Sequence, residues 1–189
     1  LCDGQTYTGW TKAVYKLDSS KDPRMGDPAI RKVIRGCTFT GSARSADTQP
    51  AILIVAARNV LITGSTFRDI HTGVPGNGVH AIAIKGAGVA DGVTIEASTF
   101  ADIAADGVQA GDSGPNVANL FLYRNSFTAP DTGGENAVDI KGTLGPTLIS
   151  GNDVSGYRPC AGPIHACSGS QGAGIVIHEA ADNIWVVNN

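Results

Sequence analysis

The chain contains few aromatic side chains and little charge. Aromatic residues make up 6% of the 189 residues and charged residues 16%, while glycine occurs 25 times. Most of the apolar side chains are Ile, Val, Leu and Ala, and the apolar content of 42% argues against disorder. Small aliphatic side chains combined with many turns favour a narrow, regularly stacked β core within a single domain.

A long hydrophobic stretch and a basic cluster are also missing. The longest apolar run, near Ala51–Ala57, is far too short to cross a bilayer, so we expect no membrane span. The net charge is −3 and no Lys/Arg cluster stands out, which makes nucleic acid a poor candidate partner. The chain has no signal peptide and begins with Leu1, so we expect a processed or excised product.

The four cysteines permit two disulfides with three possible connectivities. Because Cys160 and Cys167 share one Gly/Pro-rich loop, we expect them to pair locally, which leaves Cys2 with Cys37. Such pairing indicates an oxidising compartment, and four reduced thiols are the alternative. A zinc site built from Cys160, His165 and Cys167 is disfavoured, because the spacing matches no common ligand pattern.

A repeat dominates the sequence. Each copy reads apolar, any, apolar, two variable residues, Ser or Asn, any residue, and a large apolar residue. The large apolar residues recur every 27–33 positions, and Cys37 takes the Ser/Asn position of the first copy. Alternation of this kind predicts strands, and a recurring polar residue in the turn predicts a ladder of hydrogen-bonded side chains. The clearest copies are residues 59–67, 92–100, 119–127 and 146–154.

A second strand precedes each of the later copies, and a third, irregular strand is expected in the variable stretches. Stacking of identical registers would satisfy the backbone between rungs and bury one aliphatic core. We therefore predict an all-β, right-handed parallel β-helix (solenoid) of about five rungs over residues 30–189. An irregular capping segment is expected at residues 1–29 and a loop insertion at 156–172. The alternate positions expected in the core are Ile52, Ile54, Ile82, Ile84, Val108, Ala110, Val138, Ile140, Ile175 and Ile177.

A leucine-rich repeat and a doubly wound α/β domain fit the sequence less well. A leucine-rich repeat needs a Leu-x-x-Leu-x-Leu pattern, which the sequence lacks. A doubly wound α/β domain needs helices between its strands, and the many glycines leave no room for them. The glycines at 86, 88 and 92 do not have dinucleotide-binding spacing and are interpreted as a turn.

Charged side chains converge on the outward positions of the second strands. Adjacent rungs lie about 4.8 Å apart, so Lys141 and His178 should be neighbours, with Asp139 on the same face. Glu135, Asp112 and Glu179 lie at the rims. One outward column reads Leu53, Ala83, Gln109, Asp139 and Val176, and the next reads Val55, Lys85, Gly111, Lys141 and His178.

This patch suggests a carbohydrate-active face. Lys141 would abstract a proton beside a uronic acid carboxylate, provided that its neighbours lower its pKa. Asp139 with Glu135 would hold calcium, and His178 or Arg124 would act as an acid or as a carboxylate clamp. The plainer alternative is a solvated Asp139–Lys141 ion pair.

Two further side chains and one loop complete the predicted site. Lys85 is a catalytic candidate and Gln109 a substrate-binding candidate, because both lie in the outward columns. The insertion at 156–172 directly precedes the strand of His178. Long loops on a rigid stack often form a binding wall, although a loop pinned by a disulfide and without a ligand explains the insertion equally well.

With its rungs aligned, the chain resembles the parallel β-helix proteins of the pectate lyase superfamily over roughly Ile30 to Asn189. The resemblance rests on the repeated strands, the Ser/Asn turn positions and the segment from Gly134 to Gly142. It implies a secreted or cell-surface protein acting on an acidic polysaccharide, often by β-elimination and with calcium. The motifs of polygalacturonase-like glycosidases and of classical pectate lyases are missing, so the analogy is one of fold.

We therefore expect an extracellular protein that binds a uronic-acid polysaccharide. The enzymatic form of this hypothesis is a lyase that cleaves the bound polymer. The alternative is a non-catalytic structural or adhesive β-helix that self-associates end to end. This alternative is based on the last repeat, which stops in mid-rung at Asn188–Asn189 and leaves Ile184, Trp185 and Val186 uncovered. An open strand edge of that kind recruits another strand, and a fragment of a longer β-helix would look the same.

Overall fold

A computed structural model shows an almost entirely β-stranded chain. It describes residues 1–43, 45–72, 78–112, 114, 116–129, 134–158, 172–178 and 180–189. No helix in these ranges is long and apolar enough to cross a membrane. In chain order the elements are β1 (Cys2–Asp3), β2 (Thr6–Tyr7), β3 (Tyr15–Asp18), α1 (Pro23–Gly26), β4 (Lys32–Arg35), β5 (Thr38–Thr40), β6 (Ile52–Val55), β7 (Arg58–Thr63), β8 (Thr66–Ile70), β9 (Ile82–Ile84), β10 (Ala90–Glu96), β11 (Thr99–Ile103), β12 (Val108–Ala110), β13 (Val117–Tyr123), β14 (Ser126–Thr128), β15 (Asn136–Ile140), β16 (Thr147–Ser150), β17 (Asp153–Ser155), β18 (Ala173–Ile177) and β19 (Ile184–Val187).

The strands form three parallel sheets along the solenoid. The first sheet has the order β1-β4-β7-β10-β13-β16-β19, the second β2-β5-β8-β11-β14-β17, and the third β3-β6-β9-β12-β15-β18. Each strand pairs in parallel with the strand three places further along the chain, for example β10 with β13. The strands make about five turns of a solenoid, and β19 adds a seventh strand to the first sheet. The predicted all-β parallel β-helix is therefore confirmed.

The N-terminal residues form the first level of the stack. The expectation at 1–29 was an irregular cap, but β1, β2 and β3 pair in register with β4, β5 and β6. The predicted Cys2–Cys37 disulfide joins this level to the next, with the two Cα atoms 6.5 Å apart. Trp10 is buried, and its indole N–H donates to the Gln49 carbonyl at 3.1 Å. Cys160 and Cys167 lie outside the described residues.

Aromatic rings stack along the interior of the second sheet. Tyr7, Phe39, Phe67, Phe100 and Phe127 take the same register position in successive levels. Neighbouring ring centroids are 5.3, 4.8, 4.8 and 4.6 Å apart, and the planes are nearly parallel. The four Phe side chains are fully buried. The side chains at the large apolar position of the repeat therefore form one continuous stack. Contact between neighbouring rings stabilises the association of adjacent levels.

The predicted polar ladder lies in the turn between the first and second sheets. Each side-chain oxygen accepts a hydrogen bond from the backbone N–H of the residue one level before it. The Ser98 N–H donates to Asn125 Oδ1 at 3.0 Å, and the Asn125 N–H donates to Asn152 Oδ1 at 3.0 Å. The ladder satisfies turn N–H groups that would otherwise be buried without a partner. Its members are Ser65, Ser98, Asn125, Asn152 and Asn189, and the first acceptor receives from the Cys37 N–H.

The aliphatic core lies behind the third sheet. Of the nine Ile and Val side chains that the repeat placed there, Val108 and six others are fully buried. Ile175 is half-buried and Ile177 is 45% exposed, so the prediction for Ile177 was wrong. The reason is position, because β18 is the last described strand of the third sheet and no described strand stacks over it. The six are Ile52, Ile54, Ile82, Ile84, Val138 and Ile140.

Candidate functional site

The register of the third sheet brings several of the predicted side chains together. Gln109 pairs with Asp139 between β12 and β15, and Asp139 pairs with Val176 between β15 and β18. Continuation of the same register places Lys141 beside His178. Gln109, Asp139, Lys141 and His178 therefore share one face of the sheet, as the repeat alignment predicted.

The Asp139 carboxylate is the centre of this group. Its Oδ1 lies 2.9 Å from Nε2 of His178, and its Oδ2 lies 3.2 Å from Nζ of Lys141. The Asp139 side chain is 3% exposed, whereas those of Lys141 and His178 are 33% and 43% exposed. This is not the solvated surface pair of the plainer alternative, because the carboxylate is buried while both cationic partners reach solvent.

The contact with Asp139 sets the proton position on His178. An ionised carboxylate only accepts hydrogen bonds, so Nε2 of His178 carries the proton in the neutral ring. Nδ1 is then the acceptor nitrogen of the imidazole. A buried carboxylate that fixes the tautomer and the orientation of a half-exposed histidine is an arrangement suited to general-base chemistry.

Lys141 could act as a base only if its neighbours lowered its pKa, and they do not. Burial acts to lower the pKa of Lys141, but the hydrogen bond that it donates to Asp139 and the charges of Asp139, Asp106 and Glu135 together raise it above its ordinary value. The side chain therefore stays an ammonium group at neutral pH. Such a group attracts a carboxylate and does not remove a proton.

Calcium fits Asp139 poorly. Both carboxylate oxygens of Asp139 already contact a cationic group, His178 on one side and Lys141 on the other. Glu135 is half-buried, and its pKa is raised first by burial and then by the charge of Asp106. A calcium ion on Asp139 and Glu135 would therefore have to displace both cationic groups from Asp139. The arrangement favours an anionic ligand at this position.

Three polar residues that the sequence argument missed begin the strands beside this site. His80, Asp106 and Asn136 each stand two positions before a paired residue of β9, β12 and β15, so they stack in adjacent levels. Asn136 Nδ2 donates to Asp106 Oδ1 at 3.0 Å, and Asp106 Oδ2 lies 3.2 Å from His80 Nδ1. The signal was a shared polar residue two positions before a core residue, as in Asp106 before Val108 and Asn136 before Val138.

Asp106 is fully buried, and its Oδ2 atom is the carboxylate oxygen with the weaker hydrogen bonding. The Asp106 N–H donates to His80 Nδ1 at 3.3 Å, and a neutral Nδ1 that accepts this bond cannot also donate to Oδ2. No described residue donates to Asp106 Oδ2 or to Gln109 Oε1, although both atoms are buried. Buried acceptors usually have donors, so these two oxygens mark a buried polar region beside Asp139.

Tyr157 lies near the same region. A Cβ atom at Gly134 would lie 3.4 Å from the Tyr157 ring, which places the ring beside the start of β15. Burial, followed by the charge of Asp106, raises the pKa of Tyr157. The phenol therefore stays protonated and is available as a hydrogen-bond donor at this edge of the site.

Lys85 belongs to the same face but lies further along the solenoid. The register places it two levels before Lys141, with Gly111 between them, so the two backbones are about 10 Å apart. Gly111 has a φ of +91°, and a Cβ there would lie 2.6 Å from the Gly142 nitrogen. Only glycine fits, and the surface between the two lysines therefore has no side chain.

Arg124 does not join the site. It lies in the turn between β13 and β14, which connects the first sheet to the second, and it has a φ of +50°. Its side chain lines a separate surface groove of about 580 Å³ with Glu96 and Tyr123. The prediction that grouped Arg124 with Lys141 and His178 rested on charge type alone, and the repeat position places it at another corner of the solenoid.

The comparisons with known proteins found no relatives. No protein-family model, no curated protein and no solved structure matches the chain. The structure therefore shows a parallel solenoid, and neither it nor the comparisons assign the chain to the pectate lyase superfamily. Most of the insertion at 156–172, namely residues 159–171, lies outside the described residues, as does Glu179, and the binding-wall interpretation stays a prediction.

Proposed function

We propose that this protein binds an acidic polysaccharide on the outward face of the third sheet. The observation that carries the proposal is the buried Asp139 carboxylate, which holds Lys141 and His178 at the surface. Because both side chains are fixed before a ligand arrives, binding an anionic group costs little reorganisation. The ligand class follows from the charge: the Lys141 ammonium pairs with a carboxylate.

The neighbouring groups favour a sugar over a simple anion. Gln109 lies beside Asp139 on the adjacent strand, where its largely buried amide borders this face. Lys85 lies in the column of Lys141 and provides a second ammonium group about 10 Å away. A polymer that crosses the strands along the solenoid axis would meet both lysines, so a chain with repeated carboxylates, such as a polyuronate, gains two contacts of the same kind.

A lyase reaction is the second candidate, and the His178–Asp139 pair favours it. Nδ1 of His178 would remove the proton from the sugar carbon next to the carboxylate that Lys141 holds. The electron pair of the broken C–H bond would form a C=C bond as the C–O bond to the leaving sugar breaks. The leaving oxygen would take a proton from Glu135, whose raised pKa favours its protonated form.

Self-association remains a third candidate because apolar side chains are exposed on the last strands. Ile177 on β18 and Trp185 and Val186 on β19 are 45%, 52% and 46% exposed. We also propose a secreted or cell-surface location, which the Cys2–Cys37 disulfide supports. Sedimentation equilibrium over a range of concentrations tests self-association, and a mass that stays monomeric at every concentration removes this candidate.

The binding proposal is tested with a panel of pectate, alginate and glycosaminoglycans, each with and without calcium. Affinity electrophoresis reports binding, and ultraviolet absorbance reports the unsaturated uronate that a lyase would release. Lys141→Met should weaken binding, while Lys21→Met removes the same charge from an exposed residue of the first level and should not.

The same panel separates binding from cleavage. His178→Ala should keep measurable binding but lose the absorbance change, because it removes the base and leaves the ammonium of Lys141. Wild-type protein that binds without any absorbance change removes the lyase candidate and leaves the binding proposal intact. Wild-type protein that binds none of the polymers contradicts the proposal.

A further inference from the structure

A second group of chemically active side chains lies at the end of the second sheet. Phe67 pairs with Phe100 and Ile70 with Ile103 between β8 and β11, which places Asp69 and Asp102 side by side in adjacent levels. Both aspartates have a positive φ, +52° and +55°. The sequence repeats the motif Phe-any-Asp-Ile at the two positions, and His71 directly follows the first copy.

The three side chains converge within a short distance. Nε2 of His71 lies 2.9 Å from Asp102 Oδ1 and 3.8 Å from Asp69 Oδ1. One ligand atom from each residue lies within 4.8 Å of the others. The His71 side chain is 8% exposed, while the two aspartate side chains are 44% and 41% exposed. The imidazole therefore forms the floor of the group, and the carboxylates form its solvent side.

Hydrogen bonds to Ser42 hold the backbone of His71, and a glycine borders Asp69 in the preceding level. Ser42 Oγ accepts from the His71 N–H at 2.9 Å and donates to the His71 carbonyl at 2.6 Å. The position that corresponds to Asp69 in the preceding level is Gly41, since Thr40 pairs with Arg68. A Cβ atom built at Gly41 would lie 3.6 Å from Asp69 Oδ2, so the glycine borders this carboxylate.

The spacing matches that of atoms that share one small metal ion. Bonds of about 2.0–2.2 Å at angles between tetrahedral and octahedral separate two ligand atoms by roughly 2.9–3.6 Å. The His71–Asp102 distance falls within this range, and the His71–Asp69 distance of 3.8 Å lies just above it. The two carboxylate oxygens, which lie within 4.8 Å of each other, would have to draw closer to share the ion.

We propose that Asp69, His71 and Asp102 form a binding site for a divalent transition-metal ion of the zinc class. One imidazole nitrogen with two carboxylate oxygens is a donor set suited to zinc, cobalt or nickel. Calcium takes six to eight oxygen ligands and is poorly served by an imidazole. Three protein ligands leave at least one coordination position for water or a small ligand, and the ion ties the third level of the solenoid to the fourth.

The test is isothermal titration calorimetry of the full chain after treatment with a chelator and dialysis. Zinc, cobalt, nickel and calcium chlorides are titrated separately. We expect one equivalent of zinc, cobalt or nickel to bind, and calcium to bind at least about tenfold more weakly. Bound cobalt should also give a visible absorption spectrum, which reports coordination independently of heat.

Three asparagine variants make the assignment specific. Asp69→Asn and Asp102→Asn keep the size of half-exposed side chains and should each weaken zinc binding at least about tenfold. Asp153→Asn removes an exposed carboxylate from the same sheet and should leave the affinity unchanged. Thermal unfolding without metal checks that the variants fold. Absence of one-equivalent binding by all three transition ions overturns the proposal, and so does a zinc affinity in Asp69→Asn and Asp102→Asn that equals that of the wild type.

Discussion

The carboxylate of Asp139 and the imidazole of His178 lie 2.9 Å apart on neighbouring strands of the third sheet, and only the imidazole reaches solvent. Parallel stacking without a shift in register makes this contact possible, because it keeps outward positions in line from level to level. The contact turns two residues that are separated by 39 positions into one unit. It is the basis for the binding face and for the choice of His178 as the base.

Replacement of Asp139 tests this unit. Asp139→Asn removes the charge that both Lys141 and His178 contact and places an amide in a buried position. We expect the free energy of unfolding to fall by about 1–3 kcal/mol, measured by urea unfolding. Asp153→Asn, at an exposed position, should change it by no more than about 0.5 kcal/mol. Equal stability of the two variants would show that the Asp139 contacts contribute nothing.

The aromatic stack should dominate the stability of the second sheet. Phe100 is fully buried between Phe67 and Phe127. Phe100→Ala should lower the free energy of unfolding by about 3–5 kcal/mol, because it leaves a cavity between two levels. Phe121→Ala, at a half-exposed position of β13, is the control and should cost clearly less. Similar losses in the free energy of unfolding for the two variants would contradict a dominant contribution of the aromatic stack to stability.

The turn ladder allows a graded test at Asn125. Its Oδ1 accepts from the Ser98 N–H, and its Nδ2 donates to the Ile95 carbonyl and to Asn152 Oδ1. Asn125→Ala leaves buried groups without partners and should cost about 1–3 kcal/mol in urea unfolding. Asn125→Ser should cost less, because serine occupies the same position in two earlier levels. A serine variant as unstable as the alanine variant would show that the oxygen position is not what matters.

Glu135 should make stability depend on pH. Burial and then the charge of Asp106 raise its pKa above the ordinary 4.5, so the folded protein holds this proton more tightly than the unfolded chain. Its contribution to stability is therefore full below about pH 4.5 and is lost as the pH rises through the raised folded pKa. Glu135→Gln stays neutral, so urea unfolding at about pH 4 and pH 7 should show a smaller loss for this variant than for the wild type. An identical pH response of the two proteins would contradict this.

The fold was predictable because its repeat is visible in single positions. Phe67 and Phe100 mark the aromatic stack, and Ser98 and Asn125 mark the turn ladder, so spacing alone placed them in adjacent levels. The site was predictable only in part, since the alignment brought Lys141 beside His178 but could not show that Asp139 is buried. An outward position in a repeat is ordinarily solvated, and burial depends on what covers the face.

Other features needed the three-dimensional arrangement. Arg124 was chosen for its charge, yet it lies in a turn at another corner of the solenoid. The Asp69–His71–Asp102 group escaped notice because His71 has no counterpart in the next repeat, although Phe-any-Asp-Ile occurs twice. A side chain that departs from the repeat is the place where a regular stack can gain chemistry, and the alignment that reveals the fold hides such positions.

The most direct test of the binding face is one titration with a matched pair of polymers. A polyuronate and its carboxyl-reduced form have the same backbone and hydroxyl groups apart from the reduced acids. Calorimetry should show wild-type protein binding the polyuronate at least about tenfold more tightly than the reduced polymer, because Lys141 pairs with the carboxylate. Lys141→Met should largely abolish that preference, while Lys21→Met keeps it. Equal binding of the two polymers by the wild type, or an unchanged preference in Lys141→Met, would contradict the account.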